Sequence, residues 1–163
     1  MANIREFLVE MNPWWKGKFD IEYKEREIYP ELEKYIKLPQ IMSFSGLRRV
    51  GKTTLMLKIA EEEVERGSIE KSNVLYFSFD ENMNLFIRNI IEEYEKIMEK
   101  DVKNGRFLFL FDEIQKLHDW ESQLKAVYDM HKKNVKMIIT GSESLFIRKN
   151  QKKHLQEEYL NLK

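Results

Sequence analysis

The sequence predicts an α/β fold of three layers, helices over both faces of a mainly parallel sheet. Three observations carry that expectation. Four short apolar runs, "QIMSFS", "NVLYFSF", "RFLFLFDE" and "VKMIITGS", recur along the chain. They are apolar at successive positions rather than at alternate ones, as strands covered on both faces must be. Stretches with helical apolar spacing lie between them and supply the crossover that each parallel pair requires.

Each element follows from local signals. Ile4 to Met11 carries Ile4, Leu8 and Met11 at helical spacing, and "NPWWKGK" then breaks it with Pro and Gly. Ile21 to Ile28 reads as a short helix. Pro30 suits the first turn of another, "PELEKYIKL", with Leu32, Tyr35 and Ile36 on one face. "QIMSFS" is the first strand and Lys52 to Arg66 the helix after it. "NVLYFSF" is the second strand. Leu85 to Lys100 is a helix with Ile87, Ile90, Ile91, Tyr94 and Met98 inward. "RFLFLFDE", the helix Trp120 to His131 and the strand "VKMIITGS" complete the pattern. The expected organisation is a helical lead-in over 1–38, a core over 39–147 and an irregular or helical tail over 148–163.

Composition narrows the classes. The 163 residues suit one domain with a real core. Lys plus Arg and Asp plus Glu number 28 each, so no net field draws in nucleic acid or an anionic membrane. The absence of cysteine excludes disulfides and thiolate metal sites and fits a reducing compartment. No apolar run approaches a membrane span, so a cytoplasmic protein is expected. His118, His131 and His154 lack metal-ligand spacing.

The chemistry concentrates after the first strand. Gly46-Leu47-Arg48-Arg49-Val50-Gly51-Lys52-Thr53 fits G-x-x-x-x-G-K-[ST], preceded by a strand and opening a helix. Backbone N–H groups that converge on phosphate oxygens need the freedom of Gly46 and Gly51. The helix start adds unpaired donors and partial positive charge. Lys52 supplies a mobile cation for the β- and γ-phosphates, and Thr53 a hydroxyl for Mg²⁺. Thr54 completes the phosphate-binding stretch. Arg48 and Arg49 either add charge near the phosphates or face solvent. The alternative for the whole motif is a glycine turn with a surface lysine.

A phosphate loop needs a metal partner. The strand "FLFLFDE" ends in Asp112 and Glu113, at the strand tip where parallel sheets bind ligands. Asp112 suits the Mg²⁺ site, and Glu113 lies where it could deprotonate an attacking water. The plainer alternative is two acids that end a strand and cap the next segment. A whole strand and helix separate the loop from Asp112, which with the adjacent Glu113 marks the P-loop branch using a glutamate base. "MIITGSES" ends the fourth strand in Thr140, Gly141 and Ser142, where a hydroxyl either meets the γ-phosphate or water, or caps a turn. The candidate catalytic residues are therefore Glu113, Lys52 and Ser142.

"GLRRVGKTTLM", "FLFLFDEIQKLHDWESQLK" and "MIITGSESL" together resemble the prokaryotic, largely archaeal family of AAA-like P-loop ATPases. Members often carry a C-terminal winged-helix or nuclease-like domain. "NPWW" and "REIYPEL" look like that family's lead-in, and the likeness covers roughly residues 10 to 147. It implies ATP binding and Mg²⁺-dependent hydrolysis by Lys52, Thr53, Asp112 and Glu113, and it puts Arg26 and Tyr29 near the adenine. Core packing is the other reading of Trp14, Trp15 and Tyr29.

After "GSESL", family members continue with a Gly-Arg pair, a fifth strand and a helical lid. "FIRKNQKKHLQEEYLNLK" shows none of these, and Arg148 is the nearest arginine to a γ-phosphate reader. The expectation is the N-terminal ATPase core of a longer protein, ending after the fourth strand, with the strand before the loop at or near a sheet edge. Hydrolysis is then expected to be weak or to depend on a partner, either another copy of the chain or a C-terminal domain. Two other readings stand beside it. One is a nucleotide-binding interaction module without turnover. The other is a DNA-associated fragment using Ile147 to His154, a run whose ordinary meaning is a solvated tail.

Overall fold

The structure is a computed structural model, and it describes residues 3–21, 29–46, 51–81, 84–141 and 159–162. The elements are α1 (Ile4–Met11), α2 (Tyr29–Ile36), β1 (Ile41–Ser45), α3 (Lys52–Glu65), β2 (Val74–Ser78), α4 (Ile87–Met98), β3 (Phe107–Asp112), α5 (Trp120–His131), β4 (Val135–Gly141) and β5 (Tyr159–Leu162). The strands form one sheet in the order β2-β3-β4-β1-β5, and all four pairings are parallel.

Strand alternation divides the core into two layers. Phe107, Phe109 and Phe111 of β3 face α1, α4 and α5 together with Leu75, Phe77, Met137 and Ile139. Leu108 and Leu110 point the other way, with Met42, Phe44 and Ile138, onto α2 and α3. β1, β3 and β4 are buried at every position or nearly so, which is why their sequences are unbroken apolar runs. The three-layer α/β/α expectation holds. α1 and α5 have the bounds that their apolar spacing gave, and Pro30 sits in the first turn of α2 as its missing N–H favours. The expected helix from Ile21 to Ile28 lies outside the described residues apart from Ile21.

The end of the sheet differs from expectation. Tyr159–Leu162 adds a fifth strand, with Met42 opposite Leu160 and Phe44 opposite Leu162. Among the described residues β1 therefore lies near the edge but not at it, one strand in, and the sheet does not stop at its fourth strand. The physical reason is a long-range backbone pairing with β1, which "YLNL" does not announce through its own periodicity.

The opposite edge is closed by side chains. Val74 and Tyr76 turn their outward backbone groups away from β3, and the lead-in occupies them. Asn12 accepts from the Tyr76 N–H at 2.7 Å and donates to the Tyr76 carbonyl at 2.9 Å, so its amide stands in for a strand residue. The indoles of Trp14 and Trp15 both donate to the Val74 carbonyl, at 3.2 and 2.8 Å. Trp14 is also buried and stacked on Phe19 at 4.4 Å, which supports the packing reading of this tryptophan. Among the described residues no helix is long and apolar enough to cross a membrane.

Candidate functional site

The carboxyl ends of β1, β4 and β3 lie side by side, and each delivers one part of the site. β1 runs into Gly46, which has φ 152°, and α3 starts after Gly51, which has φ 85°. Both values fall where an L side chain is strained, so glycine is required at the two ends of the loop. Leu47, Arg48, Arg49 and Val50 between them lie outside the described residues, as does Ser142.

Lys52 opens α3 and is buried. Its Nζ donates to the Gly46 carbonyl at 3.0 Å and to the Gly141 carbonyl at 2.8 Å. The ammonium thus spans the mouth between β1 and β4, and its acceptors among the described residues are neutral carbonyls. Such acceptors are weaker partners for it than phosphate oxygens would be.

Thr53 lies one step further into α3, and its hydroxyl donates to Asp112 Oδ2 at 2.7 Å. The Asp112 carboxylate is buried and receives three hydroxyls. Thr53 and Tyr76 both donate to Oδ2 at 2.7 Å, and Thr140 donates to Oδ1. Thr140 in turn accepts from the Glu113 N–H at 3.0 Å, so one β4 hydroxyl fixes both acids. Glu113 adopts a left-handed backbone, φ 53°, which is uncommon for a residue with a side chain and recurs at functional sites. Gln115 Nε2 donates to Glu113 Oε2 at 2.5 Å. Burial pushes the Tyr76 phenol well above its usual range, and the Asp112 charge adds to that, so Tyr76 stays a donor.

The structure therefore brings together Gly46, Gly51, Lys52, Thr53, Asp112, Glu113 and Thr140. Residue patterning alone assigns no role to Tyr76, Gln115 or the Asn12 amide. The phenol hydroxyl within the "NVLYFSF" strand, three positions short of its end, was the one available signal for Tyr76. Two cavities, of about 550 and 670 Å³, lie elsewhere and include none of these residues, so chemistry rather than cavity size marks the site.

The donors fit a magnesium nucleotide. Mg²⁺ takes oxygen ligands and is usually held by one or two carboxylates plus substrate phosphates. A hydroxyl and a carboxylate that already meet are such a set. Among the described residues no cluster of three His, Asp or Glu forms an all-protein cage. The neighbouring ammonium and the glycine-ended loop suit the phosphates themselves.

Known proteins resemble this chain to different depths. A family model described as "AAA domain" matches residues 39–163. The uncharacterized protein MJ1637 of Methanocaldococcus jannaschii is 32% identical over 139 residues, which is 83% of this chain. The chain spans only 28% of that relative's length. Among solved structures, the S. cerevisiae Hsp104-ADP complex matches with a TM-score of 0.58 at 15% identity, covering 99% of this chain and 24% of that one. C. elegans PCH-2 matches with a TM-score of 0.52 at 17% identity, covering 82% of this chain and 41% of that one. At these identities the structural likeness shows a shared fold. The family match takes in the loop, all five strands and both acids, and the chain belongs to the AAA domain family.

Proposed function

We propose that this AAA domain binds ATP with Mg²⁺ and hydrolyses it, at a rate set by a partner. The observation that carries the reading is the meeting of Thr53 and Asp112 at 2.7 Å beside the Lys52 ammonium. Gly46, Arg48, Arg49, Val50, Gly51, Lys52, Thr53 and Thr54 form the phosphate-binding stretch. Thr53 and Asp112 would hold Mg²⁺, which when bound neutralises charge on the phosphate oxygens. Lys52 leaves its two carbonyls for the β- and γ-phosphates. The Glu113 carboxylate accepts a proton from the attacking water, whose oxygen bonds to the γ-phosphorus as ADP leaves. Ser142 follows β4 directly and is assigned to the γ-phosphate or the water. The adenine assignment draws on the fold shared with Hsp104, whose structure is an ADP complex.

The partner is part of the proposal: an arginine supplied by another domain or another copy stabilises transition-state charge in other P-loop NTPases, and the same is proposed for this one. Calorimetry with ATP and ADP, with and without Mg²⁺, followed by a phosphate-release assay, tests the proposal. Uptake of both nucleotides, tightened by Mg²⁺, with slow phosphate release is expected. Folded protein that takes up neither nucleotide would overturn it.

A further inference from the structure

We propose that Tyr76 is a positioning residue for the Asp112 carboxylate, and that the Asn12–Trp15 segment holds Tyr76 in place for that task. The inference rests on the Mg²⁺-nucleotide reading above. It extends that site to a strand and a lead-in that neither the loop nor the acidic strand includes.

The geometry begins with register. Tyr76 lies opposite Leu110, and Asp112 lies opposite Ser78, so Tyr76 and Asp112 are diagonal neighbours on one face of the sheet. That separation is within reach of a tyrosine. Its hydroxyl lands on Oδ2 at 2.7 Å, the oxygen that also receives Thr53. Thr140 holds Oδ1. If Thr53 turns its hydroxyl to a metal ion, Tyr76 and Thr140 remain, one on each carboxylate oxygen. Together they fix both the plane and the reach of the group. Without Tyr76, one oxygen would be left with no protein donor.

Tyr76 is itself gripped from outside the sheet. Both of its outward backbone groups bond to the amide of Asn12, whose Nδ2 also donates to the Leu8 carbonyl at 2.7 Å. The Trp14 ring meets the Tyr76 ring edge-on at 6.5 Å. One rung away, two indoles hold Val74. The lead-in thus fixes the strand where the tyrosine leaves it, and the tyrosine fixes the carboxylate.

Groups that orient a metal ligand commonly contribute tenfold or more to metal affinity. The test is a Mg²⁺ titration of the folded protein at fixed ADP, read by calorimetry, for wild type, Tyr76→Phe and Asn12→Ala. Tyr76→Phe should raise the Mg²⁺ half-point about tenfold while Mg²⁺-free ADP affinity stays unchanged. Asn12→Ala should move the half-point in the same direction by less. It carries the test alone if Tyr76→Phe does not fold, with circular dichroism as the check on folding. A half-point unchanged in the folded variants overturns the proposal while wild-type ADP uptake leaves the nucleotide reading intact. Wild-type protein that takes up no ADP would instead remove the reading beneath it. Equal losses with and without Mg²⁺ would make Tyr76 a general packing residue and also overturn it.

Discussion

Lys52 and Gly141, 89 residues apart, are joined by a 2.8 Å hydrogen bond from the ammonium to the carbonyl at the end of β4. With the Gly46 carbonyl as its second acceptor, the cation lies between two strand ends. Lys52→Ala should therefore weaken ATP binding roughly 100-fold, the loss of charge-assisted bonds to phosphate. Calorimetry with ATP reads this directly, and unchanged affinity would remove Lys52 from the site.

Glu113 predicts a different pattern. Its Oε2 is held by Gln115 and its N–H by Thr140, so the side chain is placed without being needed for binding. Glu113→Gln should keep ATP affinity within about twofold and slow phosphate release about 100-fold or more. Release at the wild-type rate would exclude Glu113 as the base.

Asp112 combines function with stability. Asp112→Asn exchanges one acceptor oxygen for an NH₂ donor that faces hydroxyls already oriented as donors. The mismatch should lower stability by roughly 1–3 kcal/mol and abolish the Mg²⁺ effect on ADP binding. Thr53→Ser should retain that effect and Thr53→Val should lose it. Denaturant melts and Mg²⁺ titrations separate the two consequences.

Lys136 stabilises a turn far from the loop. Its Nζ donates to the carbonyls of Tyr35, Leu38 and Gln40 at 2.9, 2.7 and 2.5 Å, closing the chain between α2 and β1. Burial lowers the pKa of this ammonium to about 7, and the three carbonyls match its three donors. Lys136→Ala should lower stability by roughly 1–3 kcal/mol while ATP affinity is unchanged. Urea melts check the first effect and calorimetry the second.

His131 supplies a pH dependence. It is buried at the end of α5, its Nδ1 has no hydrogen-bond partner among the described residues, and burial lowers its pKa below the ordinary 6.5. A base with a lowered folded value binds fewer protons than the unfolded chain does. Its contribution is thus complete above pH 6.5 and is lost as pH falls from there toward the folded value. His131→Gln should flatten the decline in melting temperature between neutral and mildly acidic pH. An equal decline in both proteins would assign the acid sensitivity to other groups.

Much of this was legible in the residues. Strands β1, β3 and β4 announce themselves because burial on both faces forces unbroken apolar runs. Lys52 and Thr53 announce themselves through the G-x-x-x-x-G-K-[ST] spacing, and Asp112 because a carboxylate at the tip of such a run needs a reason. Tyr76 does not, since an aromatic residue within "NVLYFSF" reads as core until the register of β2 against β3 is known. Asn12 looks like a mere break between helices, and only the fold puts its amide on the Tyr76 backbone. β5 is hidden for the same reason: four residues pair with a strand more than a hundred positions earlier.

The two flanks of the sheet are unequal in what they can receive. Along β2, indoles and a carboxamide already fill the rungs at Val74 and Tyr76, which bars fibre growth or strand exchange there. Among the described residues β5 ends the other flank. Loss of Asn12 or of the two indoles would uncover backbone groups of β2 that the lead-in now occupies.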